Sequence, residues 1–93
     1  MSAQALFETG TICATPGALD ALREHGHAAL TFFERHIRGD WSEMCAEDQA
    51  TNADAVTSGL RVFSSYSLGQ DASIWVITEA DRSVTTCLLP SEY

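Results

Sequence analysis

From Leu60 onward, the spacing of apolar residues constrains the fold more tightly than any other feature of the chain. Leu60, Val62, Ser64, Tyr66 and Leu68 alternate with Arg61, Phe63, Ser65 and Ser67, a period of two that turns one face of a strand toward a core. Gly69-Gln70-Asp71 follows as a turn signal. Ser73–Thr78 is branched and aromatic on both faces, as a central strand requires. A polar connection, Glu79-Ala80-Asp81-Arg82, leads into a third strand, Ser83–Leu89, which Pro90 ends. Three strands joined by short turns predict an antiparallel meander.

Ahead of the strands the period is helical. Thr15-Pro16 opens a first helix, because threonine can cap free amides and proline sits without loss at the first helical position. Leu19 and Leu22 share a face, Asp20 lies near the positive end of the dipole, and Gly26 is placed to stop the helix. A second helix starts near His27 or Ala28, with Leu30, Phe32, Phe33 and Ile37 as its apolar positions, and closes at Arg38-Gly39. Asp40-Trp41-Ser42-Glu43 reads as a capping box for a third helix, with Trp41, Met44, Cys45 and Asp48 along one stripe. That helix is expected to end before Asn52 or to extend through Ala53–Ser58. Leu6–Ala14 is a candidate fourth strand. The expected fold is therefore α+β: two to three N-terminal helices on a three- or four-stranded antiparallel sheet. With 93 residues, the chain reads as one domain spanning 1–93.

Charge narrows the function. Thirteen acids face five bases, all arginine, for a formal charge of −8. Direct nucleic-acid binding is excluded as an expectation, because phosphate contacts need concentrated Lys and Arg. An anionic membrane surface is excluded for the same reason. No apolar run approaches the length of a membrane span, and the N-terminus lacks the basic start and apolar core of a signal peptide. Cys13, Cys45 and Cys87 are an odd, widely spaced set, unlike a disulfide framework or a CxxC motif. The expectation is a cytoplasmic protein with reduced thiols.

Chemistry-bearing residues are sparse. His25, His27 and His36 lack the spacing of a zinc site and read as exposed residues near helix ends. Cys45, on the apolar side of a helix, and Cys87, in an apolar strand, read as small buried hydrophobes. Ser64, Ser65 and Ser67 have no GxSxG elbow around them, and the glycines form no phosphate cradle. No cofactor or metal is expected.

The most unusual local feature is acidic. Asp40, Glu43, Glu47, Asp48 and Asp54 fall within fifteen residues, with no base between Arg38 and Arg61. Glu43 and Glu47, four apart on a helix, would share a face, and Asp54 would join it if the helix continued. Such a surface suits a basic partner groove, where the repulsion is relieved on contact. Glu79, Asp81 and Arg82 form a secondary candidate patch. Trp75 and Tyr66 read as core or sheet-face residues, and an uncovered sheet face would make them an interface.

Gly10-Thr11-Ile12-Cys13-Ala14-Thr15-Pro16-Gly17-Ala18-Leu19, Gly39-Asp40-Trp41, Ile77–Thr86 and the closing Leu89-Pro90-Ser91-Glu92-Tyr93 resemble a group of short proteins carried on plasmids, phages and other mobile elements. The resemblance implies a setting and carries no catalytic residues. In that setting it implies a non-enzymatic accessory protein acting by protein–protein contact, as an inhibitor of host nucleic-acid-targeting defence of the anti-CRISPR or antirestriction type. The partner would be a defence complex with a basic surface, met by Asp40, Glu43, Glu47, Asp48 and Asp54. Two other readings stand beside it: a homodimeric regulatory module in plasmid maintenance, built on the sheet face, and a small enzyme with a buried cysteine or carboxylate.

Overall fold

The computed structural model describes residues 5–93. Strand β1 (Thr11–Ala14) leads into helices α1 (Pro16–Glu24), α2 (Ala29–Ile37) and α3 (Ala46–Ser58). Strands β2 (Val62–Gly69), β3 (Ala72–Thr78) and β4 (Val84–Leu88) follow, and a 3-10 turn, Pro90–Glu92, ends the chain. One sheet forms in the order β1-β4-β3-β2. The last three strands are the expected antiparallel meander, but β1 pairs with β4 in parallel, so the sheet is mixed. A parallel partner follows from the connection, because the helical layer separates β1 from the meander.

β1 is shorter than the Leu6–Ala14 expectation. Leu6 N–H bonds to Ile37 O at the end of α2, which takes this stretch away from the sheet. Gly10, at φ +64°, then turns the chain into β1. A Cβ on Gly10 would collide with the backbone of Arg82 and Ser83, so glycine is required there.

The helix termini follow local chemistry in α1. Thr15 Oγ1 accepts Ala18 N–H at 3.0 Å and donates to Glu92 Oε1 at 2.6 Å, clipping the C-terminal turn to the helix start. α3 starts later than the capping-box reading placed it, at Ala46 with Cys45 as cap, and runs through Ser58 to a left-handed Gly59. Asp40 and Glu43 cannot cap it because other elements hold their carboxylates. Trp41–Cys45 instead folds as a turn, closed by Met44 N–H on Trp41 O, with Trp41 packed against Ala55 and Val62.

All three helices lie on one side of the sheet. Val62, Ser64, Tyr66 and Leu68 of β2 point into that side, and Ala18, Leu22, Phe32, Phe33, Ile74, Val76 and Cys87 complete the main core. The β2–β3 hairpin turns on Gln70 and Asp71, both at positive φ, matching the right-handed twist of its strands. Among the described residues, no helix is long and apolar enough to cross a membrane.

Candidate functional site

The acidic run divides into two groups. Arg35, on α2, donates from Nε to Asp40 Oδ2 at 2.7 Å and pairs through Nη1 with Glu43 Oε2 at 3.0 Å. Its guanidinium lies over the Tyr66 ring, 4.5 Å from the centroid. The Asp40 hydrogen bond raises the Arg35 pKa, and the same bond holds the Asp40 carboxyl below the usual carboxylate range.

Glu43 has a second task. Its Oε1 accepts the Ser67 N–H at 2.7 Å on the outer edge of β2. Asn52 of α3 works beside it: Nδ2 donates to Phe63 O at 2.6 Å, and Oδ1 accepts Phe63 N–H at 3.1 Å. Two side chains thus take the place of a further strand on an edge that would otherwise present free backbone groups. The expected face shared by Glu43 and Glu47 does not exist, because Glu43 precedes the helix.

Glu47, Asp48 and Asp54 are different. All three are exposed on α3, and none is in an ion pair among the described residues. At 100° per residue, Glu47, Thr51, Asp54 and Ser58 fall on one stripe, about a quarter turn round the helix from the buried Ala55 and Asn52. Glu47 and Asp54 stand about 10 Å apart along the axis. No basic residue lies within α3.

In the secondary patch, Arg82 is tied into the fold while Asp81 stays exposed. Arg82, at φ 60°, donates from Nη1 to Leu60 O at 2.7 Å and from Nη2 to Ala55 O at 3.1 Å. Ala55 O belongs to the negative end of α3, so Arg82 neutralises that helix terminus from the β3–β4 connection. Glu79 faces Arg61 at 3.5 Å. Asp81 accepts Ser83 N–H at 3.0 Å within its own turn, and the Ser83 side chain, with that N–H second, lowers its pKa.

His36 corrects the expectation of exposed histidines. It is 0% exposed, and its two ring nitrogens lie 2.5 Å from Ser64 Oγ and 2.9 Å from Thr78 Oγ1. The chain of bonds fixes its tautomer. Thr85 must donate to the Thr9 carbonyl, at 2.9 Å. Thr78, 2.6 Å from Thr85 Oγ1, therefore donates to Thr85, and His36 Nε2–H donates to Thr78. Nδ1 is left as an acceptor for the Ser64 hydroxyl. Burial, aided by the charge of Arg82, pushes the His36 pKa down to about 3. The imidazole is neutral and ties α2 to β2, β3 and β4.

Ser64 on a histidine nitrogen has the form of half a nucleophilic pair. However, it is 0% exposed, and the far nitrogen holds a hydroxyl where a carboxylate would orient a catalytic base. The thiols offer no better nucleophile. Cys87 is buried, and burial pushes its pKa up to about 11, away from the thiolate. Cys45 is exposed at the α3 cap, contrary to its expected apolar placement.

Tyr66 is 1% exposed and donates to Asp40 O at 3.0 Å, so it is a core residue and no part of an interface. An open hollow of about 450 Å³ lies against Ala5, Phe7, Glu8, Thr9, Gly10 and Ile37, with Glu8 its one ionisable group among the described residues. Among the described residues, no three His, Cys, Asp or Glu side chains gather as a metal site.

His36 was within reach of the sequence. Phe32, Phe33 and His36 recur at helical spacing on the apolar side of α2, while Ser64, Thr78 and Thr85 each fall on the inward phase of a strand. Compared with protein families, with curated proteins and with solved structures, the chain matches none.

Proposed function

We propose that this chain is a non-enzymatic accessory protein that works by protein–protein contact, its α3 face meeting a basic, nucleic-acid-binding surface of a host defence complex. One observation carries the reading. Glu47 and Asp54 line an exposed stripe with the hydroxyls of Thr51 and Ser58, and neither carboxylate is in a hydrogen bond or ion pair among the described residues. Asp48, exposed in the first turn, lies a quarter turn from that stripe. Carboxylates on a helix offer arginines and lysines an anionic surface, and the charge of −8 adds long-range attraction.

The mobile-element resemblance supplies the setting, in which a DNA- or RNA-targeting restriction or CRISPR complex is the partner class. The test is phage plating on cells that carry such a system. Expression of the chain raises plating of a targeted phage, and Glu47→Arg with Asp54→Arg returns it to the level without the chain. Inhibition that survives in that double variant, with the protein present at equal level, removes α3 as the site.

A further inference from the structure

The two edges of the sheet are finished differently. On the outer edge of β2, Asn52 takes both backbone groups of Phe63, and Glu43 takes the Ser67 N–H. β1 forms the other edge. Its parallel pairing with β4 uses alternate residues, with Thr11 N–H on Ser83 O and Thr15 N–H on Cys87 O. Ile12 and Ala14 therefore turn their N–H and C=O groups outward, and none of these groups is hydrogen-bonded among the described residues. Thr11, Ile12 and Cys13 are exposed. No charge, proline or bulge within β1 blunts the edge.

The surroundings select what can add to it. Alternating donors and acceptors in strand geometry match extended backbone. Ile12, in register with the buried Thr85, points to the helix side and is 50% exposed, so an apolar side chain is favoured opposite it. Glu8 stands before the strand, and Glu92 is clipped to Thr15 at its end. Both are exposed, and neither is in an ion pair among the described residues. Arg82, whose backbone abuts Gly10, sends its guanidinium to Leu60 O and Ala55 O. A second copy would bring the same carboxylates and a charge of −8 to the contact, which opposes it. We propose that β1 accepts, as a further strand, an extended segment of a partner protein that is apolar at its centre and carries lysine or arginine at its ends. The edge includes no residue of α3, so either contact can fail while the other stands.

The probe is the peptide acetyl-Lys-Thr-Val-Thr-Lys-amide, titrated at low salt into the isotope-labelled full chain, with amide exchange read by NMR. In the free protein the Cys13 and Thr15 amides are expected to exchange slowly, and those of Ile12 and Ala14 fast. With millimolar peptide, exchange at Ile12 and Ala14 is expected to slow at least tenfold. The same peptide with glutamate in place of lysine is expected to bind at least tenfold more weakly. Ile12→Pro is expected to abolish binding while the circular dichroism stays that of the parent, because proline removes an N–H that the fold does not bond. That change also removes the Ile12 side chain, so Ile12→Ala provides the second test and is expected to keep the slowed exchange at Ala14. Glu47→Arg with Asp54→Arg is expected to leave the peptide bound. Unchanged exchange at Ile12 and Ala14 in millimolar peptide overturns the proposal. So does equal binding of the glutamate peptide, equal loss in Ile12→Ala and Ile12→Pro, or loss with the α3 variant. Slow exchange of these two amides in the free chain, lost on dilution, overturns it as well, by giving the edge to a second copy.

Discussion

Asp40 and Glu43 differ from Glu47 and Asp54 in what they touch, although all four belong to one acidic run. The first two are bound to Arg35, and Glu43 also seals the β2 edge through Ser67. The second two project from α3, in no ion pair among the described residues. Formal charge in a sequence is therefore not the charge a partner meets, because a fold first takes what its own termini, edges and cations require. His36 and Arg82 follow the same rule. Both are polar, and both are spent inside: one on three strands, the other on the end of α3.

If polar groups consumed by the fold carry stability and the α3 acids carry none, substitutions should separate in that order. His36→Ala is the largest expected loss, about 3–5 kcal/mol in urea unfolding, because it opens a cavity and leaves the Ser64 and Thr78 hydroxyls without a partner. A loss under 1 kcal/mol would mean that the chain of bonds ties nothing together.

The same residue sets a pH dependence. His36 stays neutral in the fold down to about pH 3, whereas an unfolded chain protonates it near 6.5. Below 6.5 the unfolded state binds the extra proton, so stability is full above that pH and falls as pH drops toward 3. The slope approaches about 1.4 kcal/mol per unit, on the order of 2 kcal/mol by pH 5. Urea unfolding at pH 7 and pH 5 should show this difference, and His36→Gln should flatten it.

Arg35→Ala comes next, at about 1–3 kcal/mol, since it strands Asp40 beside Glu43 and removes the contact with Tyr66. Thermal unfolding reads it directly. Glu47→Gln with Asp54→Asn is the smallest, within about 1 kcal/mol, the residue being the favourable placement of Glu47 in the first turn of α3.

What was legible in the sequence follows the same division. α1 and the meander rest on local signals: the Thr15-Pro16 start, the alternation from Leu60 and the Gly69-Gln70-Asp71 turn. Their structure needs little from distant residues. The start of α3 was misread because Asp40 and Glu43 have the local pattern of a capping box but find stronger partners in Arg35 and Ser67, the latter 24 residues further on. β1 was half legible, since four residues of edge strand depend on β4, which lies about seventy positions later. Of the candidate site, the exposed α3 acids were named from composition alone. That Asp40, Glu43 and Arg82 serve the fold is a property of tertiary contacts, which spacing does not encode.

The most direct test compares two variants matched in charge, Asp40→Asn/Glu43→Gln and Glu47→Gln/Asp54→Asn, each as tagged bait in a lysate that holds a DNA-targeting defence complex. The measurement is the amount of that complex retained at low salt and released by competing DNA. The account predicts that the first variant, though less stable, still retains it, and that the second loses it. Retention by the second variant with loss by the first would contradict the account, and would place the contact on the acids that Arg35 holds.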